Sequence, residues 1–454
     1  MMRSLYAGVA GLKTHQTRMD VIGNNIANVN TTAYKSQSMT FGDLMYQTTQ
    51  SASGANATTG VGGVNARQIG LGSKTGAIKT AITTQGASQT TNDPFDMMIT
   101  GDSFFIVSNG NDNFFTRDGS FYVDGVGNLC MTSNGYNVMG WQVDPNDEST
   151  IKQDTVTALR VMTEENLTYP SEATTKARIS GILDKNDTNV NSTDGKIINM
   201  EIFDDKGYKY TVKLSVHADP NDPSKADNGE FTVRLDQVLD SNGKPIGPDQ
   251  DGTTGIQLAG KDAGEEIELL YDAGTGTFTS VNGGDTIDLT FGTDYPSFKT
   301  VTIDFTATSN LNNNGSSTVT AVRGDDVGNG AGRKVGEMSG INVQKDGMIY
   351  ATYDNGQSRL LGQIAVATFA NASGLAKEGD NLYSATMNSG ELDGIGVDIT
   401  TGGGYMNTGV LEMSNVDLSA EFTEMITTQR GFQANSRIIT VSDTLLEELT
   451  NLKR

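Results

Sequence analysis

Few side chains of this 454-residue chain combine the type and the spacing that chemistry requires. His15 and His217 are its two histidines and Cys130 its one cysteine, so no Cys/His metal cluster and no internal disulfide can be assembled. His15 falls on the polar side of an N-terminal helical pattern, His217 follows a strand pattern close to Asp219, and neither has a serine or cysteine nucleophile in a recognisable arrangement. Gly255-Ile256-Gln257-Leu258-Ala259-Gly260-Lys261-Asp262 has phosphate-loop spacing, but Asp262 stands where a hydroxyl should meet magnesium, and its carboxylate would repel phosphate. A turn between two strands is the better reading. The acidic loops 219–223 and 249–252 lack the alternating ligands and closing glutamate of a calcium loop and read as solvated turns. Trp141 reads as a core residue. Cys130, in Gly127-Asn128-Leu129-Cys130-Met131, reads as a small buried hydrophobe. A sharper alternative for it is a covalent link between subunits, in which Cys130 loses its sulfur and a neighbour's lysine attacks the dehydroalanine. No catalytic residue, cofactor or metal is expected.

The interest therefore lies in the elements themselves. The net charge is −23, yet residues 1–82 hold seven Lys/Arg against two Asp/Glu and are +5. The acidic remainder should repel nucleic acid and anionic lipid, so neither is expected as a partner. No run of 18 apolar residues exists for membrane insertion, and Lys13, His15, Arg18 and Asp20 interrupt the start before a signal-length apolar stretch develops. Export without an ordinary cleaved signal peptide is the expectation.

Both ends have helical periodicity. Leu5, Leu12, Met19 and Ile26 recur every seven residues with Val9 and Ile22 between them, which predicts a helix over about 3–28. Leu418, Met425, Phe432, Ile439 and Leu446 repeat likewise, predicting a helix over about 416–452 with Asp417 or Ser419 as its cap. So long a stripe must face something apolar, either the other terminus of the same chain or another subunit.

Residues 30–93 are rich in Thr, Ser, Gly, Ala, Asn and Gln and read, in isolation, as marginal or disordered structure. From Phe95 onward, β-rich runs such as 103–107, 210–214, 231–235, 286–290 and 300–305 are separated by turn pairs, among them Asp118-Gly119, Asp194-Gly195, Asn282-Gly283 and Asn355-Gly356. The predicted fold is a mainly β multi-domain protein with long paired N- and C-terminal α-helices, coiled-coil-like, and nested discontinuous domains. The expected boundaries are 1–30 plus 410–454 for the helical domain, 31–93 for an extended or β connecting segment, 94–150 plus 341–409 for a β domain, and 151–340 for an inserted β domain.

The most specific signal is the asparagine run Gly23-Asn24-Asn25-Ile26-Ala27-Asn28-Val29-Asn30-Thr31-Thr32-Ala33-Tyr34-Lys35. Asparagine caps helix ends and hydrogen-bonds across tight packing, which is a reason to cluster it where a helix gives way to extended chain. The run resembles the signature of the flagellar rod, hook and hook-associated protein family, which usually has glycine where this chain has Ala33. Residues 409–418 and 425–437 are similar to that family's C-terminal helix motif, with Phe432 where tyrosine is common. Residues 96–107 and 115–121 are similar to the first strands of its inner β domain, although Ser103 replaces a usual glycine. Blocks 346–357 and 361–371 look like the hook branch of the family rather than its shorter distal rod or longer junction proteins.

The resemblance implies a non-enzymatic structural subunit of a flexible helical tube, the hook, which transmits motor torque to the filament. It implies homo-oligomerisation, with distal rod, hook cap, hook-filament junction proteins and the flagellar type III export apparatus as further partners, and a location outside the cell body. It places the helices at the inner wall and 151–340 outside. The residues expected at subunit interfaces are Leu5, Val9, Leu12, Met19, Ile22, Asn24, Asn25, Ile26 and Asn28 at one end, and Leu418, Phe422, Met425, Gln429, Phe432, Asn435, Ile439 and Leu446 at the other. The competing class, a secreted β-rich adhesin or glycan-active enzyme, would present paired carboxylates in a groove, whereas the Asp and Glu here fall mostly in turns.

Overall fold

The periodic ends form helices at Met2–Ala27 and Leu418–Asn451. Asp417 caps the second: its carboxylate accepts the N–H groups of Ser419 at 2.8 Å and Ala420 at 3.3 Å, two of the donors a helix start leaves unpaired. Almost all regular structure between them is β, so the protein is mainly β with a long helix at each end. The computed structural model describes residues 2–54, 60, 62–144, 147–219, 222–246, 255–390 and 393–452. The acidic loop 249–252 and part of the loop 219–223 lie outside the described residues.

The chain divides into two compact units. The first comprises Met1–Thr163, Ile341–Ala351 and Arg359–Arg454. In it the helices lie antiparallel, since Gly8 meets Ile439 and Asn435, His15 meets Gly431, and Arg18 pairs with Glu424. The stretch that composition marks as marginal is built instead from two antiparallel strand pairs, Gln37–Asp43 with Ser73–Thr80 and, nested between them in sequence, Tyr46–Gln50 with Arg67–Gly70. The first pair lies on the N-terminal helix, where the Thr14 and Ser73 hydroxyls are 3.1 Å apart and Phe41 stands edge-on to His15 at 5.3 Å. His15 is therefore not on a solvated face, as its surroundings in sequence suggested. It packs between a strand and the other helix. The β core of this unit gathers Phe104, Ile106, Phe115, Trp141 and Tyr383. Trp141 is buried and donates its indole N–H to the carbonyls of Asp154 and Ile395.

The second unit comprises Glu164–Gly340 and Thr352–Ser358. Two sheets share one core: Lys196–Phe203, Lys209–His217, Glu230–Leu239, Glu266–Tyr271 and Phe278–Val281 in one, and Ile256–Leu258, Thr286–Phe291, Val301–Asn310, Lys176–Leu183 and Thr320–Arg323 in the other. Their alternating burial places Val212, Leu214, Phe231, Val233, Ile303 and Phe305 inside. Ile256–Leu258 and Lys261–Asp262 pair as a tight hairpin through Ala259 and Gly260, both at positive φ, which disposes of the phosphate-loop spacing there.

Candidate functional site

The motif residues from the two ends of the chain meet in one place. In the last turn of the N-terminal helix, Asn25 is fully buried and uses every hydrogen-bonding position of its amide. Its Nδ2 donates to the Gln37 carbonyl at 2.7 Å and to Glu421 Oε1 at 2.8 Å, while its Oδ1 accepts the Gln37 N–H at 2.9 Å and the Tyr34 hydroxyl at 3.3 Å. Asn415 plays a similar part from the C-terminal side, with three bonds: Oδ1 accepts the Ser36 N–H at 2.7 Å, and Nδ2 donates to the carbonyls of Ala81 and Thr84. An amide that both donates and accepts imitates a strand edge, so these two asparagines pin the start of the strand Gln37–Asp43 and the chain beside it.

Beside them lies a buried ionic cluster. Lys35 and Arg117 are each 1% exposed, as is Glu412. Lys35 Nζ donates to Glu412 Oε1 at 2.6 Å and to the Thr84 carbonyl at 2.8 Å, and the Gly86 N–H donates to the same Oε1 at 2.8 Å. Arg117 donates to the Gly101 carbonyl at 2.6 Å, lies over the Phe104 ring at 4.9 Å, and approaches Glu412 Oε2 at 4.0 Å. Burial pushes the basicity of Lys35 and Arg117 down, and the Glu412 charge opposes this in both. The cluster joins the asparagine run, the connecting segment, the β core and the last strand, Val410–Glu412, into one piece. Ala33, whose N–H donates to the Glu412 carbonyl at 2.7 Å, has φ 55°. That is the left-handed region where glycine costs least, which explains why the resembling motif has glycine there. Ala33→Gly is expected to raise stability by up to about 1 kcal/mol, measured by urea unfolding.

The seam between the helices is made of small and polar residues. Gly8, Gly11, Thr14 and Asn25 are buried on one side, Thr428 and Ser442 on the other. A Cβ on Gly11 would lie 2.6 Å from Asn435 Nδ2, and one on Gly431 would lie 2.6 Å from the His15 ring. The glycines set the close approach.

The expected interface residues divide accordingly. Ile22 and Asn25 are buried within the chain, and Asn435 and Ile439 face Gly8 and Gly11 across the seam. Leu5, Leu12, Met19, Ile26, Asn28, Met425 and Leu446 are half-buried. Val9 is 51% exposed and Phe422 50%, and Asn24, Leu418, Gln429 and Phe432 are exposed as well. Sequence reasoning did not single out Gly8, Gly11, Thr14, Lys35, Arg117, Glu412 or Asn415 for roles. The three-residue spacing of Gly8, Gly11 and Thr14 was the available signal for the seam. Cys130 is buried, its thiol 3.2 Å from Asn137 Oδ1, and burial followed by Asp124 raises its pKa. Among the described residues no group of three or more His, Cys, Asp and Glu side chains is placed to hold a metal ion.

Comparison with known proteins follows the same residues. Residues 5–35 match the family described as "Flagella basal body rod protein", 98–180 "Flagellar hook protein FlgE/F/G D1 domain", and 407–452 "Flagellar basal body rod FlgEFG protein C-terminal". The flagellar hook protein FlgE of Borreliella burgdorferi is 37% identical, with 100% of each chain covered, and that of Treponema pallidum 34% identical over the same shares. The flagellar basal-body rod protein FlgG of Bacillus subtilis is 30% identical, again with 100% of each chain covered. With full-length relatives at these identities, the chain belongs to the FlgE/F/G family of flagellar hook and rod proteins.

Proposed function

We propose that this chain, a structural subunit of the flagellar hook, polymerises by burying the apolar side chains that its terminal helices leave in water. The observation that supports this reading is the stripe Leu418, Phe422, Ile426, Ile438, Val441, Leu445 and Leu449, together with Tyr6 and Val9, all exposed in the single chain. Each such side chain contributes about 1.5–3 kcal/mol when fully buried, so copies packed side by side gain burial that a single chain leaves unused at these positions. The seam of small residues fixes the helix pair, and the apolar stripe is left over for neighbours.

In this reading 1–30 plus 410–454 form a coiled-coil-like inner wall, 31–93 connects it, 94–150 plus 341–409 form the inner β domain, and the acid-rich 151–340 forms the outer one. The tube is the flexible joint that carries torque, outside the cell body. Its chain passes unfolded through the flagellar type III export apparatus, which the lack of disulfides permits. Distal rod, hook cap and hook-filament junction proteins would be its end partners. A Cys130 link to a neighbour's lysine belongs to the same proposal. It needs the buried thiol to become accessible, and a wholly monomeric band from boiled, reduced assemblies on a denaturing gel would dispose of it.

Electron microscopy of the concentrated protein should show hollow tubes. The double variant Val441→Asp, Leu445→Asp should abolish them while shifting the monomer's Tm by no more than about 2 °C, since exposed positions contribute little to the monomer. Tubes at the wild-type concentration from that variant would sink the proposal.

A further inference from the structure

A cleft of about 460 Å³ opens between the asparagine run and the hairpin formed by Ala376–Gly379 and Leu382–Ser384. Tyr34, Asp118, Lys377, Asp380 and Asn381 are among its walls. Asp118 is 7% exposed, and its carboxylate accepts the Ser120 N–H at 3.2 Å and a hydrogen bond from the Asn381 side chain. Among the described residues no lysine or arginine nitrogen comes within 4.0 Å of it. A buried carboxylate is ordinarily paired with a cation, because its desolvation is otherwise uncompensated.

The surrounding charges do not supply the missing cation. Asp96 acts on Asp118 with the same sign, and Asp380 adds another acid to the wall. Arg117 is turned to the Gly101 carbonyl and Phe104. Lys377 donates to the Lys35 carbonyl at 3.2 Å and sits 4.8 Å over the Tyr34 ring, and burial alone lowers its pKa, with no acid opposing that. Tyr34 and Tyr383 both have raised pKa values, caused first by burial, and stay neutral.

Cations of the right kind stand elsewhere on the chain. Residues 1–82 are +5 against −23 for the whole, and of their basic residues Arg3, Lys13, Arg67, Lys74 and Lys79 are exposed and make no ion pair among the described residues. We propose that in the assembled tube the cleft receives a basic side chain from residues 1–82 of a second copy, seated against Asp118. This deepens the polymer reading and rests on it: the N-terminal segment is basic and the cleft acidic, so contact between copies satisfies both.

Titration supplies a readout. Burial, aided by Asp96, pushes the Asp118 carboxyl up to about 6 from its ordinary 3.8. The folded monomer thus holds the proton more tightly than the unfolded chain does. Its contribution to stability is full below the ordinary carboxylate range and is lost as pH rises through about 6. A seated cation reverses this and releases the proton, so assembly should strengthen as pH rises from 5 to 7. Asp118→Asn should raise the critical concentration for tubes at pH 7.5 by roughly tenfold or more, as expected when one partner of a desolvated charge pair is removed. It should also flatten that pH dependence, while the monomer melts at the same or a higher temperature than wild type. A purely structural role for Asp118 would lower that melting temperature instead. Asp118→Lys should be rescued by charge reversal at one of Arg3, Lys13, Arg67, Lys74 or Lys79. Wild-type assembly and pH profile in Asp118→Asn overturn the proposal, and so does a loss that none of the five reversals recovers. If wild-type protein forms no tubes, the polymer reading fails instead.

Discussion

Glu412→Ala is expected to destabilise the unit containing both helices by about 3–5 kcal/mol, the cost of removing one partner from a buried ion pair. The size follows from what is left behind. Lys35 and Arg117, each 1% exposed, would be two buried cations with no anion between them, and the Gly86 N–H would lose its acceptor. Glu412→Gln should cost less, because its amide oxygen still accepts from Gly86 and Lys35. The double variant Lys35→Met, Glu412→Leu should recover only part of the loss, since the Lys35 charge is gone while Arg117 still lacks an anion and the Gly86 N–H an acceptor. Urea unfolding followed by circular dichroism resolves these differences. A Glu412→Ala variant within about 1 kcal/mol of wild type would show that the junction is hydrated and that the cluster does not join the ends. The consequence for assembly is direct: the last strand, Val410–Glu412, leads through Asn415 into the capped C-terminal helix, so loosening Glu412 loosens the helix that carries the exposed stripe.

How much of this was legible depends on the range over which each signal acts. The terminal helices were, because a seven-residue apolar period and Asp417 as cap act within a few turns. The turn glycines were as well: those of Asp194-Gly195, Asn282-Gly283 and Asn355-Gly356 all have positive φ, although Asp194-Gly195 and Asn282-Gly283 link strands of different sheets instead of closing a hairpin. Asp118-Gly119 did not follow, for Gly119 is not left-handed and is needed because a Cβ there would collide with the Met97 carbonyl oxygen. Residues 30–93 misled because every residue of Tyr46–Gln50 and Arg67–Gly70 is exposed, so backbone pairing holds those strands without the alternation that burial imprints on sequence. The apolar stripes were visible, but not which partner each face takes. The faces turned toward the partner helix carry glycine and asparagine, and the apolar side chains remain beside them. Lys35 and Glu412 are 377 positions apart, and no local pattern joins residues at that distance. Each stood inside a motif whose family resemblance could be stated while its physical reason could not.

Gly86→Ala tests the same junction through space rather than charge, and is expected to cost about 3 kcal/mol, at the upper end of what overpacking usually costs. Gly86 does not have positive φ, so alanine meets no conformational penalty there. The obstacle is the Met413 carbonyl oxygen, which occupies the position a Cβ would take. Neither side can easily give way. The Gly86 N–H is tied to Glu412, the Met413 N–H to the Ala87 carbonyl at 2.8 Å, and Ser88 pairs with Glu412 in the adjoining ladder. Gly125 serves as the control, since it also lacks positive φ but has open space where a Cβ would go, and Gly125→Ala should change stability by no more than about 0.5 kcal/mol. Thermal melts of the two variants side by side separate a rigid junction from a yielding one. A rigid junction predicts that Gly86→Ala also raises the critical concentration for tubes, because the strand that moves is the one leading into the C-terminal helix. Equal melting of the two variants would mean that the segments around Gly86 and Met413 shift freely, and that Glu412 is not held where its pairing with Lys35 requires.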